Sequence, residues 1–280
     1  MVLCSSLTTS LSSQDMENEA RMQIQPREAV AGSFQTIHLT FTPGASGMNV
    51  GGGVRCELPV AYLETKPYFW DTPQTTSPAS RGYVSASASN GANVSINIYG
   101  ARNGIIECVL QDGNLPSGGK IFVEYSGNVQ SICRKQSIRT QWRASAQEGW
   151  LRLRDYPEID ILPEPASIML VVTPADLQVG EEFEMAVVLM DKYGNRATGY
   201  LGTLGITSSD SGAALPETYS FVQADSGLHV FAALKYSTAG FQRVDVTDGT
   251  LKGRYNYTQV SNVAPRYRRY FGDTHFHTGT

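Results

Sequence analysis

Val179-Gly180-Glu181-Glu182-Phe183-Glu184-Met185-Ala186-Val187-Val188-Leu189 decides the fold of the C-terminal half of this 280-residue chain. Val179-Gly180-Glu181 reads as a turn. Phe183, Met185, Val187 and Leu189 then alternate strictly with outward positions, the period of a half-buried β-strand. Working outward, residues 168–172, 201–208, 219–221, 228–234 and 242–247 supply further short strands, and Asp191-Lys192-Tyr193-Gly194-Asn195 supplies a turn between two of them. Roughly 95 residues with about seven such strands have the dimensions of one β-sandwich domain, placed at 166–262.

The N-terminal half follows the same grammar. Residues 34–41 are β-branched and aromatic and end at Pro43-Gly44, and residues 54–58, 105–110 and 121–125 continue as strands. Val94, Ile96 and Ile98 alternate with period two, which predicts one buried face. The glycines of Gly47-Met48-Asn49-Val50-Gly51-Gly52-Gly53 permit positive φ and a compact bend, and no helix pattern or Lys-Ser/Thr pair follows to make them a phosphate loop. We read 22–157 as a second, less regular antiparallel sandwich. The prolines at 157, 163 and 165 mark a stiff linker at 158–165. The fold class is therefore all-β, with two tandem β-sandwiches.

Composition narrows the function. A hydrophobic content of 41% supports a buried core in each domain, and a net charge of -4 gives no general attraction to nucleic acid or an anionic membrane. The short basic cluster Arg266, Arg268 and Arg269 reads as a solvated strand edge or linker. No apolar run approaches the roughly 18 residues of a membrane span. Residues 1–21 read as a disordered polar leader without a clear signal peptide, so a periplasmic or secreted setting is expected with a cytoplasmic one as the alternative. Cys4, Cys56, Cys108 and Cys133 have no CxxC spacing; buried thiols are expected, and a disulfide among the last three stays open. Tyr68, Phe69, Trp70, Pro73 and Gln74 lie in an aromatic segment, 62–74, without clear periodicity. As a loop it either tucks against its own domain or stacks on sugars.

Two histidines stand close to Thr280. In Asp273-Thr274-His275-Phe276-His277, residues two apart on an extended segment share a face, so His275 and His277 can reach one ion and Asp273 can act as a further ligand or orient an imidazole. A structural zinc takes about four protein ligands and a catalytic one about three with a water, so more ligands are needed than this stretch provides. His38 and His229 sit in strand-like sequence; His229 alternates with Phe231 and is expected to be packed.

Two resemblances follow from quoted motifs. Val179-Gly180-Glu181-Glu182-Phe183, Asp191-Lys192-Tyr193-Gly194-Asn195, Gly199-Tyr200-Leu201-Gly202, Thr207-Ser208-Ser209-Asp210, Gly227-Leu228-His229-Val230-Phe231 and Thr238-Ala239-Gly240 resemble bacterial immunoglobulin-like repeats, which implies a spacer or docking module. Tyr270-Phe271-Gly272-Asp273-Thr274-His275-Phe276-His277-Thr278 resembles the first motif of the PHP metallohydrolase superfamily, in particular a bacterial PHP-like family with β domains in front of its barrel. Gly44 to Gly52, the Trp70/Gln74 loop and Gly82-Tyr83-Val84 are similar to that arrangement.

The second resemblance implies that 263–280 begins a truncated α/β barrel, whose missing C-terminal part would be the chain's partner. That barrel would hold divalent zinc, manganese or iron through His275, His277 and Asp273 and hydrolyse a phosphoester or related small-molecule ester. These 280 residues alone are then the inactive accessory β region. The competing expectation is a secreted or periplasmic tandem β-sandwich binding or adhesion module with no catalytic role, its ligand taken by the aromatics around Trp70.

Overall fold

The computed structural model describes residues 19–60, 69–100 and 104–269. The chain divides into two compact units, Met1–Leu162 and Pro163–Thr280, and both are all-β.

In the first unit the strands are β1 (Arg21–Gln25), β2 (Glu28–Val30), β3 (Phe34–Thr42), β4 (Gly53–Glu57), β5 (Tyr83–Ala88) and β6 (Val94–Tyr99). They are followed by β7 (Ile105–Leu110), β8 (Ile121–Asn128), β9 (Lys135–Ser137), β10 (Arg139–Arg143), β11 (Leu151–Arg152) and β12 (Glu158–Leu162). One sheet has the order β1-β3-β8-β5 and another β11-β10-β4-β7-β6, with a small sheet β2-β12-β9 beside them. The two larger sheets pack through their inward residues. Ile37, Leu39, Phe41, Val84, Val123 and Tyr125 of the first are buried, as are Val54, Cys56, Ile106, Cys108 and Leu110 of the second. Phe41 meets Trp142 at 5.9 Å between ring centroids, joining the layers.

Two expectations need correcting in this unit. Val94, Ile96 and Ile98 do share a face, yet all three are half-buried, because β6 is an edge strand with β7 on one side alone. The stretch 158–165 is not a linker throughout. Glu158–Leu162 is β12, parallel to β2 and antiparallel to β9, with Ile159 and Ile161 buried. The prolines bracket this strand without interrupting its ladder, and the Pro157 carbonyl even accepts the Ile138 amide at 2.9 Å. Likewise Arg21, the last residue of the expected leader, already starts β1; residues 1–18 lie outside those described.

The second unit contains β13 (Ile168–Val172), β14 (Asp176–Gln178), β15 (Glu182–Met190), β16 (Thr203–Ser208) and β17 (Thr218–Ser220). Then come β18 (Leu228–Lys235), β19 (Gly240–Gln242), β20 (Val244–Thr247), β21 (Arg254–Tyr255) and β22 (Thr258–Ser261). They form sheets β18-β15-β13-β21, β14-β22-β19 and β17-β16-β20. Phe183, Met185, Val187 and Leu189 point inward from β15 as their alternation predicts, and they join Met169, Val171, Leu204, Ile206, Val244, Val246 and Val260 in one core. Two pairings are parallel: β13 with β21, and β14 with β22. Residues 263–269 are without strand, and the remainder of the expected barrel strand lies outside the described residues. Among the described residues no helix is long and apolar enough to cross a membrane.

Candidate functional site

The outward face of the sheet β11-β10-β4-β7-β6 carries a cluster of charged and hydrogen-bonding side chains. Alternation along β4 turns Val54 and Cys56 into the core and leaves Arg55 and Glu57 facing out. The strand register then assembles rows across the sheet. One row runs Arg152, Gln141, Arg55, Glu107 and Asn97; the next runs Arg139, Glu57, Ile105 and Tyr99. All of these except Glu107 and Asn97 line, with Tyr156, a groove of about 490 Å³.

Glu107 organises one side of the groove. Its carboxylate accepts from Arg55 Nε at 2.6 Å, Tyr99 Oη at 3.1 Å and Asn97 Nδ2 at 3.3 Å. Burial alone would raise its pKa, but the donors from Arg55, Asn97 and Tyr99 outweigh that effect and hold it below the usual carboxylate range. The Tyr99 hydroxyl is pushed up, by burial and then by the Glu107 charge. Trp150 is pinned by two guanidinium groups, Arg55 at 3.7 Å and Arg143 at 4.7 Å from the ring centroid.

The other side of the groove keeps spare valence. Arg139 reaches Glu57 at 3.8 Å, with side chains 73% and 51% exposed, a pair weak enough for a ligand to displace. Arg152 is exposed and makes no ion pair among the described residues.

In the second unit the basic cluster before Tyr270 is solvent-exposed on a strand-free segment, as its reading as an edge or linker expects, and two of its arginines are in addition ion-paired. The Arg269 guanidinium donates to Asp176 Oδ1 at 2.6 Å from Nη2, and to Oδ2 at 3.0 Å from Nε. Its Nη2 also reaches Gln259, and its backbone amide donates to Asp176 at 2.8 Å. Arg268 pairs with Glu181. The side-chain and backbone hydrogen bonds from Arg269 hold the Asp176 carboxyl below its ordinary range. The sequence pattern does not reveal the ion pairs of Arg268 and Arg269, because their carboxylate partners lie 87 and 93 residues upstream.

The sequence-predicted metal ligands His275, His277 and Asp273 lie outside the described residues. Among the described residues no three His, Cys, Asp or Glu side chains gather as a metal site. The two upstream histidines each face one carboxylate: His38 Nδ1 lies 3.0 Å from Glu124, and His229 Nδ1 lies 2.9 Å from Asp225 while its ring stacks on Tyr219 at 3.8 Å.

The aromatic loop does not face solvent at Trp70. That ring is 2% exposed and packs on Tyr125 at 5.5 Å, and Tyr125 Oη donates to the Asp71 carbonyl at 2.7 Å. Gln74 then closes the following turn, its Oε1 accepting from the Thr76 and Ser77 amides, both at 2.8 Å. Trp70 therefore serves the core and has no face to offer a sugar. Cys56 and Cys108 are buried thiols, and burial pushes Cys56 up to about 12, the Thr140 contact offsetting only part of that; burial likewise raises Cys108.

No protein-family model matches the chain, and no curated protein matches it significantly. Solved structures give similarities at low identity. The Escherichia coli adhesin FdeC aligns over 88% of this chain and 63% of its own, at 17% identity and a TM-score of 0.41. The Yersinia pseudotuberculosis adhesin InvE aligns over 87% of this chain and 58% of its own, at 10% identity and a TM-score of 0.27. BslA, a bacterial hydrophobin, aligns over 52% of this chain and 98% of its own, at 13% identity and a TM-score of 0.31. The chain thus spans less than two thirds of either adhesin structure, and at these scores the likeness decides nothing about binding or activity.

Proposed function

We propose that this chain is a non-catalytic binding module, periplasmic or secreted, in which the N-terminal sandwich takes a ligand on an open sheet face and the C-terminal sandwich is a spacer. The observation that carries this reading is the groove, where Arg139 and Arg152 retain unfilled donors beside Gln141, Tyr99 and Tyr156. Ordinary solvated sheet faces intersperse both charge signs; here arginines outnumber carboxylates on a chain that is acidic as a whole. The test is binding of the wild type and an Arg139→Ala/Arg152→Ala variant to an array of immobilised glycans, acidic peptides and lipids. Retention that the double variant loses, with its circular dichroism unchanged, supports the groove. Retention that is indifferent to the variant removes it.

A second reading keeps the resemblance to PHP-like metallohydrolases, with Asp273, His275 and His277 opening a metal site and these β units as its accessory region. It is favoured by the Arg269–Asp176 clamp, which fixes the backbone immediately before that motif. Metal analysis of the protein expressed from its natural gene tests it. Stoichiometric divalent metal that a His275→Ala/His277→Ala variant loses supports the reading, and a metal-free protein after growth in supplemented medium sinks it.

A further inference from the structure

We infer that the groove on the β11-β10-β4-β7-β6 sheet recognises a carboxylate-bearing polysaccharide, a polymer of uronic acid type; this rests on the reading of that groove as the binding site. The division of labour among its residues leads to that ligand. Glu107 has its oxygens occupied by Arg55, Asn97 and Tyr99, and the Arg55 guanidinium is covered on one side by Trp150. These groups are already matched and act as a rigid floor. What a ligand meets beyond Arg55 is Arg139 with its loosely held partner Glu57, which the ligand's carboxylate must displace, then Arg152, Gln141, Ile105, Tyr156 and Tyr99.

Each of those groups has a counterpart on an acidic sugar. The planar fork of an arginine fits a carboxylate with two parallel hydrogen bonds, and Arg139 and Arg152 are the arginines with donors to spare. They sit on adjacent strands with a two-residue offset, Arg152 opposite Gln141 and Arg139 two positions along. Strands are about 4.8 Å apart and alternate residues about 7 Å apart, so the two forks address two separate carboxylates on an extended chain. Gln141, which both donates and accepts, suits hydroxyls between them. Tyr156 and the side of the Tyr99 ring away from the Arg55 guanidinium, which lies 5.6 Å from its centroid, suit the C–H side of a sugar ring.

Other anions fit less well. A protein partner needs an apolar pocket for a buried anchor, and Ile105 is the lone aliphatic side chain lining this groove. Nucleic acid draws most of its affinity from neutralising many phosphates, which a few arginines on a chain of net charge -4 do not provide.

The experiment is affinity electrophoresis and calorimetry of the whole chain with polygalacturonate, its fully methyl-esterified form, neutral galactan and poly-glutamate. Polygalacturonate is expected to bind, with Trp150 fluorescence changing, and esterification is expected to weaken it about tenfold or more as the carboxylate bonds vanish. Arg152→Ala is expected to cost about tenfold, and Arg152→Lys to recover part of that, since an ammonium keeps the charge but loses the fork. Equal binding of the esterified polymer or of galactan, still sensitive to Arg152→Ala, would overturn the ligand class and leave the groove standing. Equal or tighter binding of poly-glutamate would do the same in favour of an acidic peptide. If polygalacturonate binds and Arg139→Ala and Arg152→Ala both leave its affinity unchanged, the groove itself is refuted. If polygalacturonate does not bind at all, the uronate inference fails and the polymer array still judges the groove.

Discussion

Charged side chains do opposite work in the two units. In the C-terminal unit three carboxylates, Asp191, Asp210 and Asp248, turn inward and are used up by the chain itself. Asp210 accepts from the backbone amides of Gly212, Ser237 and Thr238 and from the Ser237 and Thr238 hydroxyls. Asp191 accepts from the amides of Glu164, Tyr193 and Asn195, and Asp248 from those of Thr250 and Leu251 and the Tyr200 hydroxyl. Each stitches its own turn and ties it to a distant segment, Asp210 to Ser237 and Thr238, Asp191 to Glu164 and Asp248 to Tyr200, and a carboxylate with its lone pairs filled has nothing left for a ligand. On the outer sheet face of the N-terminal unit the charges point to solvent and are only half matched. Density of charge is therefore a poor guide to function, and unfilled valence is the better one.

The contrast can be broken most severely at Trp70, which is part of the N-terminal core. Trp70→Ala is expected to cost about 3–5 kcal/mol in urea unfolding, as for other buried aromatics; a cost under 1 kcal/mol would mean that the loop is free for binding after all. Next comes Asp210→Ala, which orphans several buried donors and is expected to cost about 2–4 kcal/mol, with Asp210→Asn recovering part of it. A negligible loss would show that the C-terminal carboxylates are ornaments of the surface.

Acid sharpens the comparison further. Burial would raise Asp210, Asp225 and Asp248, but backbone and side-chain donors outweigh it and hold all three below the ordinary aspartate value of 3.8. A carboxylate whose folded pKa is depressed contributes stability that is fully present above its unfolded pKa and is lost as pH falls through the folded one. The N-terminal unit has Glu107 in the same condition. Below pH 3.8 the C-terminal unit is expected to loosen first. Trp70, Trp142 and Trp150 all belong to the N-terminal unit, so their fluorescence should hold while hydrogen exchange accelerates in β16 to β20; simultaneous loss would refute the difference. The smallest stability effect is expected from Glu107→Gln, about 1–2 kcal/mol, because the side chain is 12% exposed but the amide keeps one acceptor oxygen. Because it removes the charge that occupies Arg55, it should tighten polygalacturonate, and weaker binding would count against the groove.

Much of the fold is legible in the sequence, and the site is not. The alternation of Phe183, Met185, Val187 and Leu189 names its own inward face because period two belongs to strands. The same pattern at Val94, Ile96 and Ile98 gives the face but not the burial, since nothing local says that β6 is an edge. Prolines at 157, 163 and 165 resemble a linker because a single strand cannot announce its partners, β2 and β9, far away in the chain. The groove is illegible for the same reason multiplied. Arg55, Tyr99, Arg139 and Arg152 come from four strands, and it is their register that makes them neighbours. By contrast, Asp273, His275 and His277 stand out as a local motif and lie outside the described residues.

The parallel seam of the C-terminal unit has a mechanical meaning. β14 runs parallel to β22, with Asp176, Leu177 and Gln178 beside Gln259, Val260 and Ser261, and β13 runs parallel to β21. Tension between Pro163 and Arg269 draws such partners in opposite directions along their own length, so their hydrogen bonds bear load together and cannot peel one at a time. The Arg269–Asp176 clamp fastens the same seam from outside the ladder. The unit is thus built to yield at high force, and in single-molecule pulling Arg269→Ala is expected to lower that force; an unchanged rupture force would mean that the clamp bears none of the load.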